Sequence, residues 1–300
     1  MNYLFLLLVL LLAPLLPGVV NQTKAFFAGR RGPGLFRLYF DLAKLMRKSC
    51  PRSSTSTWIF DLAPSVALAA TVAAAALFPW TLDGTAPFAA AGAVLFFYLL
   101  GTGRFFTVLG ALDTGSAFEG MGASREVQFS ALVEPVVFAI LGFLVLLTKQ
   151  TSFGILSGCA SADWFAHPVP LVLAGVAFFA ILLSENCRVP FDDPETHLEL
   201  TMIHEAMILD NAGPDLAYIL YGAALKFAVL AAFFVAMLLP RLPAPAPVRG
   251  LVLLAGVLAT GVLVGVVESV MARMRFLKTP QILLAAFMVA LLGILLFVLF

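Results

Sequence analysis

Most residues of this chain that could do chemistry lie in one stretch, residues 184–215. The stretch holds eight of the 17 acidic residues, two of the three histidines and a single arginine, Arg188. Asp-Pro-Glu at 193–195 suits a helix start, because it places a capping side chain, a proline and an acid at the positive helix end. Gly-Pro at 213–214 is typical of a helix end. The sequence therefore predicts a helix of about four turns that carries most of these titratable groups: Glu185, Asp192, Asp193, Glu195, His197, Glu199, His204, Glu205, Asp210 and Asp215.

These residue types suit either a metal site or a chain of titratable groups. His197 and His204 would lie about 10.5 Å apart along a helix axis, too far to share one ion, and no H-E-x-x-H motif occurs. We therefore predict no metal site. Capping and solvation account for some of the acids. Apolar residues are interleaved with the others over 198–209, which favours partly buried carboxylates and imidazoles that could relay protons.

Further charged residues fall inside apolar stretches of the chain. Counting about 1.5 Å per helical residue places Glu134 roughly 15 Å and Lys226 roughly 16 Å into such stretches, near the middle of a bilayer. A carboxylate at that depth is costly and suggests a functional role. The alternative is a protonated or locally hydrogen-bonded glutamate of structural use. Because their depths are similar, Glu134 and Lys226 are candidates for an ion pair.

The composition places nearly all of this chain in a membrane. Of its 300 residues, 62% are hydrophobic and 12% are charged, whereas a soluble domain is about a quarter charged. Eight windows could each span a bilayer. The net charge of +1 gives no reason to expect a nucleic-acid partner, and the three cysteines form no C-x-x-C motif. The windows are residues 2–24, 58–80, 86–111, 125–148, 167–184, 215–239, 248–271 and 279–299.

The distribution of lysine and arginine predicts the orientation of these spans. The loop after the first window carries eight basic residues and the loop after the seventh carries three, whereas the intervening even-numbered loops carry at most two. Odd-numbered loops are therefore predicted to face the cytoplasm, with both termini outside. Arg104, Asp61 and Glu268 then lie toward the cytoplasmic ends of their spans. This pattern predicts a polar funnel that opens to the cytoplasm and ends near the bilayer centre, not an open pore.

The first cytoplasmic loop contains an amphipathic segment, LFRLYFDLAKLMRK at residues 35–48. Leucines recur on one face at helical spacing, and charged residues, including Arg37, recur on another. We predict a helix in the membrane interface. Its basic side would face lipid headgroups or a docked subunit, and these two roles are compatible. The third loop, residues 110–129, is rich in small residues that suit tight turns, and Ser124 resembles a helix start.

These loops carry a resemblance that extends over essentially the whole chain. Residues 29–45, 112–126 and 185–217 resemble the membrane subunit of the group 4 nickel–iron hydrogenases, of the formate hydrogenlyase subunit 4 type. That type of subunit is similar to the heel subunit of respiratory complex I. The complex I pattern E-x-N-R-x-P-F-D-x-P-E and the pattern G-A-x-R followed by a glutamate are matched here by Glu185, Arg188, Pro190, Phe191, Asp192, Pro194, Glu195, Gly122, Ala123, Arg125 and Glu134.

One departure separates this chain from complex I. The run DDPETHLEL at 192–200 has His197 where complex I usually has a carboxylate, which favours the hydrogenase branch over a quinone site. The resemblance implies an all-α polytopic subunit of the cytoplasmic (inner) membrane. It would form one integral membrane domain over residues 1–300, with about eight transmembrane helices, the amphipathic interfacial helix and the cytoplasmic loop helix.

The resemblance also implies partners and residue roles. The chain would seat a soluble arm formed by the hydrogenase large and small subunits and an iron–sulfur subunit, and would adjoin antiporter-like membrane subunits. The nickel–iron centre and the iron–sulfur clusters would belong to those partners, with no cofactor and no catalytic residue in this chain. The proton-coupling candidates are Glu134, Glu185, Asp192, Asp193, Glu195, His197, Glu199, His204, Glu205 and Lys226. The candidates for holding these charges or docking the arm are Arg30, Arg31, Arg37, Arg104, Arg125 and Arg188.

Two other functions remain open from the sequence. One is a quinone-binding heel subunit of a complex I-like oxidoreductase. The other is a free-standing ion transporter, although the absence of a convincing internal repeat counts mildly against an inverted-repeat transporter.

Overall fold

The computed structural model of the chain describes residues 1–53, 55–82, 92–153, 156, 167–192, 203–240, 244–272, 274 and 278–299. Within these ranges the elements are all helices, as predicted. In chain order they are α1 (Asn2–Leu12), α2 (Leu15–Phe27), α3 (Arg37–Leu45), α4 (Trp58–Leu77), α5 (Ala93–Asp113), α6 (Ala117–Thr148), α7 (Pro168–Glu185), α8 (His204–Met207), α9 (Gly213–Leu238), α10 (Ala246–Val270) and α11 (Thr279–Leu299).

The long helices match the predicted spans closely. Among the described residues, seven helices are long and apolar enough to cross a membrane: α4 to α7 and α9 to α11. Helices α1 and α2 form an eighth candidate together, bent by 50° at a short break that contains Pro14. A proline in this position removes a backbone donor and crowds the preceding turn, which accounts for the bend. The chain is thus a multi-pass membrane protein, as the composition predicted.

Helix α9 is the centre of the bundle. Two-thirds of its apolar window (67%) is buried, against 22% for α11. It contacts α2, α3, α4, α7 and α10. A helix that is apolar on nearly all sides is expected to occupy this position. The helices around it present one residue or another to the interior according to how each packs against α9.

Two predicted helix ends in the loops are wrong. Ser124 is not a helix start, because α6 runs without a break from Ala117 to Thr148. The small residues of this region permit close packing instead of turns: a Cβ atom on Gly122 would lie 2.9 Å from Ala206 Cβ and 3.0 Å from the Ile203 carbonyl oxygen. The region therefore forms a contact between α6 and the segment that contains α8.

Gly213 and Pro214 begin a helix and do not end one. They are the first residues of α9, where proline is favoured because the first helical N–H groups have no partner in the helix. Gly213 has a φ of +54°, and a Cβ atom there would lie 2.8 Å from the Ser49 carbonyl oxygen. Of the four-turn helix predicted in this loop, the structure describes the short α8, and residues 193–202 lie outside the described ranges.

The amphipathic helix is present as α3, over Arg37–Leu45, somewhat shorter than the predicted segment. It packs against α2 and α9. The Tyr39 hydroxyl donates a hydrogen bond to the Leu11 carbonyl oxygen at 2.5 Å, while Arg37 lies 3.6 Å from Asp41 on the outer side. Phe40 remains 74% exposed. Helix α3 is therefore anchored to the bundle at the break between α1 and α2 and leaves an aromatic side chain facing outward.

Candidate functional site

Glu185 lies between two cations in the interior of the bundle. Its Oε1 atom is 2.6 Å from Arg104 Nη1, and its Oε2 atom is 2.7 Å from Lys226 Nζ. The three side chains come from the end of α7 and from the middle of α5 and α9, and each is 10–18% exposed. One carboxylate between two cations leaves the group one negative charge short of neutrality. Glu126 and Glu134 are near enough to interact electrostatically with Arg104.

This ion-pair group forms part of the wall of a cavity of about 260 Å³. One part of the wall is apolar and includes Pro17 of α2, Leu38 of α3 and Leu68 of α4. The other part is unusually rich in titratable groups for a membrane protein. They are Arg104, Glu126, Glu185, Cys187, Arg188, Asp192, His204, Glu205 and Lys226. All of them except Glu126 and Cys187 were predicted as site residues, and the fold brings them into one cavity from separate parts of the sequence.

The protonation of two groups in the cavity wall outside the spans follows from their burial. Loss of hydration, reinforced by the charge of Lys226, lowers the pKa of His204 to about 4. Its imidazole is therefore neutral at pH 7, in contrast to the titration near neutral pH that its residue type suggested. Burial, followed by the negative fields of Glu126 and Asp192, raises the pKa of the Cys187 thiol well above its usual range. Cys187 is thus a poor nucleophile and a poor thiolate ligand.

Asp192 and Arg188 tie the segment after α7 to its surroundings. Asp192 is 3% exposed and accepts a hydrogen bond from the Ile203 N–H at 3.2 Å. The Arg188 guanidinium lies 3.4 Å from Glu268 and 5.5 Å from the centre of the Phe227 ring. Glu268 is also 3.2 Å from Lys24 Nζ. This second, buried ion-pair group joins α2 and α10 to the wall of the cavity.

Glu134 lies elsewhere and does not pair with Lys226. Its side chain is on the exposed face of α6, and Lys226 is taken by Glu185 instead. A smaller cavity of about 50 Å³ separates Glu134 from Arg104 and Glu185, and Tyr98 and Phe138 also contribute to its wall. The carboxylate is therefore close to the ion-pair group but outside the main cavity.

The remaining predicted residues are not brought to the cavity by the described part of the chain. Arg30, Arg31 and Arg37 are exposed in the loop between α2 and α3 and at the start of α3. Arg125 is half-buried on α6 and lies 3.1 Å from the Met121 sulfur. Four further candidates, Asp193, Glu195, His197 and Glu199, lie outside the described residues. Within those residues, no group of three or more His, Cys, Asp or Glu could hold a metal ion.

Two glutamates of the interior were missed in the sequence. Glu126 belongs to the cavity wall, and Glu119 is 1% exposed and accepts a hydrogen bond from the Asp210 N–H at 3.0 Å. A signal for both was present. Once α6 is taken to start at 117, Glu119 and Glu126 continue the helical spacing of the buried Phe129 and Val133.

An aromatic layer lies beyond the ion-pair group. Phe233 of α9 lies two turns past Lys226 and stacks on Phe178 and Phe96 at centroid distances of 5.0 and 5.9 Å. It also contacts Phe97 at 5.2 Å. All these rings except Phe97 are fully buried. This packing leaves the charged cavity without a polar continuation along α9, in agreement with a funnel that ends inside the membrane.

Together, the multi-pass helical fold and the buried titratable cavity define an integral membrane subunit with a charged interior. A family model described as NADH dehydrogenase matches residues 1–299. The chain belongs to this family.

Particular relatives agree with the resemblance stated from the sequence. The chain is 34% identical over 290 residues to hydrogenase-4 component C of Escherichia coli (strain K12), which covers 94% of this chain and 90% of the relative. It is 31% identical over 281 residues to formate hydrogenlyase subunit 4 of the same organism, covering 92% and 91%. It is also 29% identical over 201 residues to a subunit of the NADH-quinone oxidoreductase of Bacillus mycoides (strain KBAB4), covering 61% and 57%.

A solved structure shares the fold over the full length. A chain of the membrane-bound sulfane sulfur reductase, an archaeal respiratory membrane complex, superposes with a TM-score of 0.83. The match covers 98% of this chain and 99% of the other at 18% sequence identity. At this identity the likeness establishes the fold.

Proposed function

We propose that this chain is the membrane-anchoring and coupling subunit of a membrane-bound hydrogenase. It seats a soluble arm on its cytoplasmic loops and links redox events there to proton or ion translocation. The names of the two Escherichia coli relatives, which align over more than 90% of this chain, support the class of complex. The nickel–iron centre and iron–sulfur clusters belong to the partner subunits of the arm, and the antiporter-like subunits lie beside this chain in the inner membrane.

The observation that carries the coupling role is the position of Glu185 between Arg104 and Lys226 in the wall of a titratable cavity. At an effective dielectric constant of 20, a unit charge that appears 10 Å from a buried group changes its energy by about 1.7 kcal/mol. This corresponds to about one pKa unit. A charge that arrives at the mouth of the cavity can therefore change the proton occupancy of the carboxylates around the two cations by about tenfold.

The proposed seat for the soluble arm is the basic surface of the first loop. Arg30, Arg31 and Arg37 are exposed there, at one end of the bundle and next to α3. In this orientation residues 25–57, 112–124 and 185–214 face the cytoplasm, and both termini lie outside. Single cysteines introduced at residues 120 and 244 distinguish the two orientations. A membrane-impermeant maleimide applied from outside labels position 244 and not position 120, and the reverse pattern contradicts the orientation.

The coupling role is tested in the whole complex reconstituted into liposomes. Glu185→Gln keeps the size of the side chain and removes its charge, and Lys149→Gln, an exposed site on the αL cap of α6, is the matched control. The expected result for Glu185→Gln is a large loss of proton translocation per hydrogen turned over, with turnover by an artificial electron carrier retained. Unchanged translocation in an assembled Glu185→Gln complex contradicts the proposal.

A quinone-binding heel subunit is the second candidate, and the mixed lining of the cavity favours it. Apolar residues from α2, α3 and α4 face charged residues across the same space. The volume of about 260 Å³ lies just below the usual range of small-molecule pockets, about 300–1,000 Å³. Quinol-dependent electron transfer by the purified complex favours this function. Ion transport by the chain alone in liposomes favours a free-standing transporter.

A further inference from the structure

The outward face of α6 is polar along part of its length. The exposed residues there follow helical spacing and include Ser124, Gln128 and Glu134 together with Ala131 and Phe138. Glu134 is 14 residues from the C-terminal end of a span 32 residues long, which places it within the hydrocarbon layer, about 21 Å from that end. A charged side chain at this depth normally faces the interior of a bundle or a water-filled cavity.

The contrast with α11 shows that this polarity is specific to one face. The exposed residues of α11 from position 284 onward are all apolar, as a surface in contact with lipid chains requires. They are Leu284, Ala285, Met288, Leu291, Leu292, Leu295, Val298 and Leu299. The two faces belong to the same bundle and face the same membrane, so lipid alone does not account for the composition of the α6 face.

The described part of this chain does not neutralise Glu134. The cations of the adjoining interior, Arg104 and Lys226, form ion pairs with Glu185 at 2.6 and 2.7 Å. Around Glu134 the surface is formed by Tyr98 and Phe138, whose ring centroids lie 6.3 Å apart. An exposed carboxylate within this aromatic surface therefore calls for a cation from outside the chain.

We propose that the outer face of α6 around Glu134 is covered by a transmembrane helix of another subunit, which presents a lysine or arginine to Glu134. The charge of Glu134, the small Ala131 one turn away and the flat aromatic surface of Tyr98 and Phe138 fit a closely packed basic helix. The proposal rests on the proposed function, because the neighbour is another membrane subunit of the same complex.

Photo-crosslinking in the intact membrane complex tests this surface. Benzoylphenylalanine replaces Val127 or Phe138, each close to Glu134 on the exposed face, and replaces Met288 or Leu292 of α11 as matched lipid-facing controls. The expected result is a crosslink from 127 and 138 to one helix of another membrane subunit, within two turns of a lysine or arginine. Positions 288 and 292 give lipid adducts.

Three outcomes overturn the proposal: lipid adducts at 127 and 138, a crosslink to a second copy of this chain, or a crosslinked helix without a basic residue in that range. A charge exchange gives the second measurement. Glu134→Lys is expected to release the neighbouring subunit, and the opposite exchange of its basic residue to glutamate is expected to restore binding. Failure of the proposed function is recognised separately, because the soluble hydrogenase arm is then absent from the purified complex.

Discussion

Lys226 forms its ion pair with Glu185, at 2.7 Å, and leaves Glu134 on the outside of the bundle. Depth in the membrane alone made Glu134 the expected partner of Lys226. The rotation of α6 decides otherwise, because its buried stripe through Val133 and Val137 turns Glu134 outward. As a result, two carboxylates near the same two cations have different surroundings, one between those cations and one on a surface available to a neighbour.

Removing the carboxylate of the ion-pair group is expected to cost more stability than removing one cation. Glu185→Gln leaves both Arg104 and Lys226 buried without their carboxylate, whereas Lys226→Met leaves Glu185 paired with Arg104. Breaking a buried pair by removing one partner costs about 3–5 kcal/mol. Unfolding of the purified protein in detergent should therefore show a loss of this order for Glu185→Gln and a smaller loss for Lys226→Met. The opposite order contradicts the assignment of Glu185 to both cations.

The cavity is also expected to make the protein sensitive to acid through His204. Its pKa is about 4 in the folded protein, below the usual value near 6.5. Between these values the unfolded chain binds more protons at this residue, so the contribution of His204 to stability falls as the pH is lowered from about 6.5 to about 4. Relative to wild type, His204→Gln should lose less thermal stability between pH 7 and pH 5. An unchanged pH dependence means that His204 is hydrated in the folded protein.

A pair of glycines on α6 tests the contact between this helix and α8. Gly122→Ala places a methyl group 2.9 Å from Ala206 Cβ and 3.0 Å from the Ile203 carbonyl oxygen, whereas Gly120→Ala meets no atom within 4 Å. Overpacking of this kind costs about 1–3 kcal/mol. Gly122→Ala should therefore destabilise the protein and displace the cavity wall that carries His204. Gly120→Ala should be neutral or slightly stabilising, because alanine is the better helix former. Equal effects of the two substitutions contradict the close packing.

Much of the fold was predictable from the sequence, because apolar runs of about 20 residues report spans directly. The predicted windows at 58–80 and 279–299 differ from α4 and α11 by three residues at most. The broken first span also follows from a local signal, Pro14. The amphipathic character of α3 was visible in the spacing of its leucines and charges.

The composition of the cavity was predictable only in part. Glu185, Asp192 and His204 were identified as candidates from a dense acidic stretch, and the structure brings them together with Arg104 and Lys226. The pairing itself was not predictable, because Arg104 and Lys226 are single charges in long apolar helices. Their direction depends on how α5 and α9 rotate against their neighbours.

Charge reversal in the first loop tests the seat for the soluble arm. Arg30→Glu combined with Arg31→Glu changes the exposed surface charge by four units without touching a buried residue. The double variant should release the hydrogenase arm from isolated membranes, and the release should be stronger at low salt, where repulsion is least screened. Lys149→Glu, an exposed site on the opposite end of α6, is the control and should retain the arm. An arm that stays bound to the double variant places the seat elsewhere.

The last prediction separates coupling from assembly at Glu134. Glu134→Gln keeps the size and the hydrogen-bonding capacity of the side chain but removes the charge, so the complex should assemble. If the carboxylate exchanges protons with the ion-pair group across the small cavity beside Arg104, proton translocation linked to hydrogen turnover should fall sharply in this variant. Turnover with an artificial electron donor should fall much less, because the variant is remote from the redox centres of the arm. Intact translocation in an assembled Glu134→Gln complex removes this residue from the mechanism, and loss of assembly shows that its role is structural.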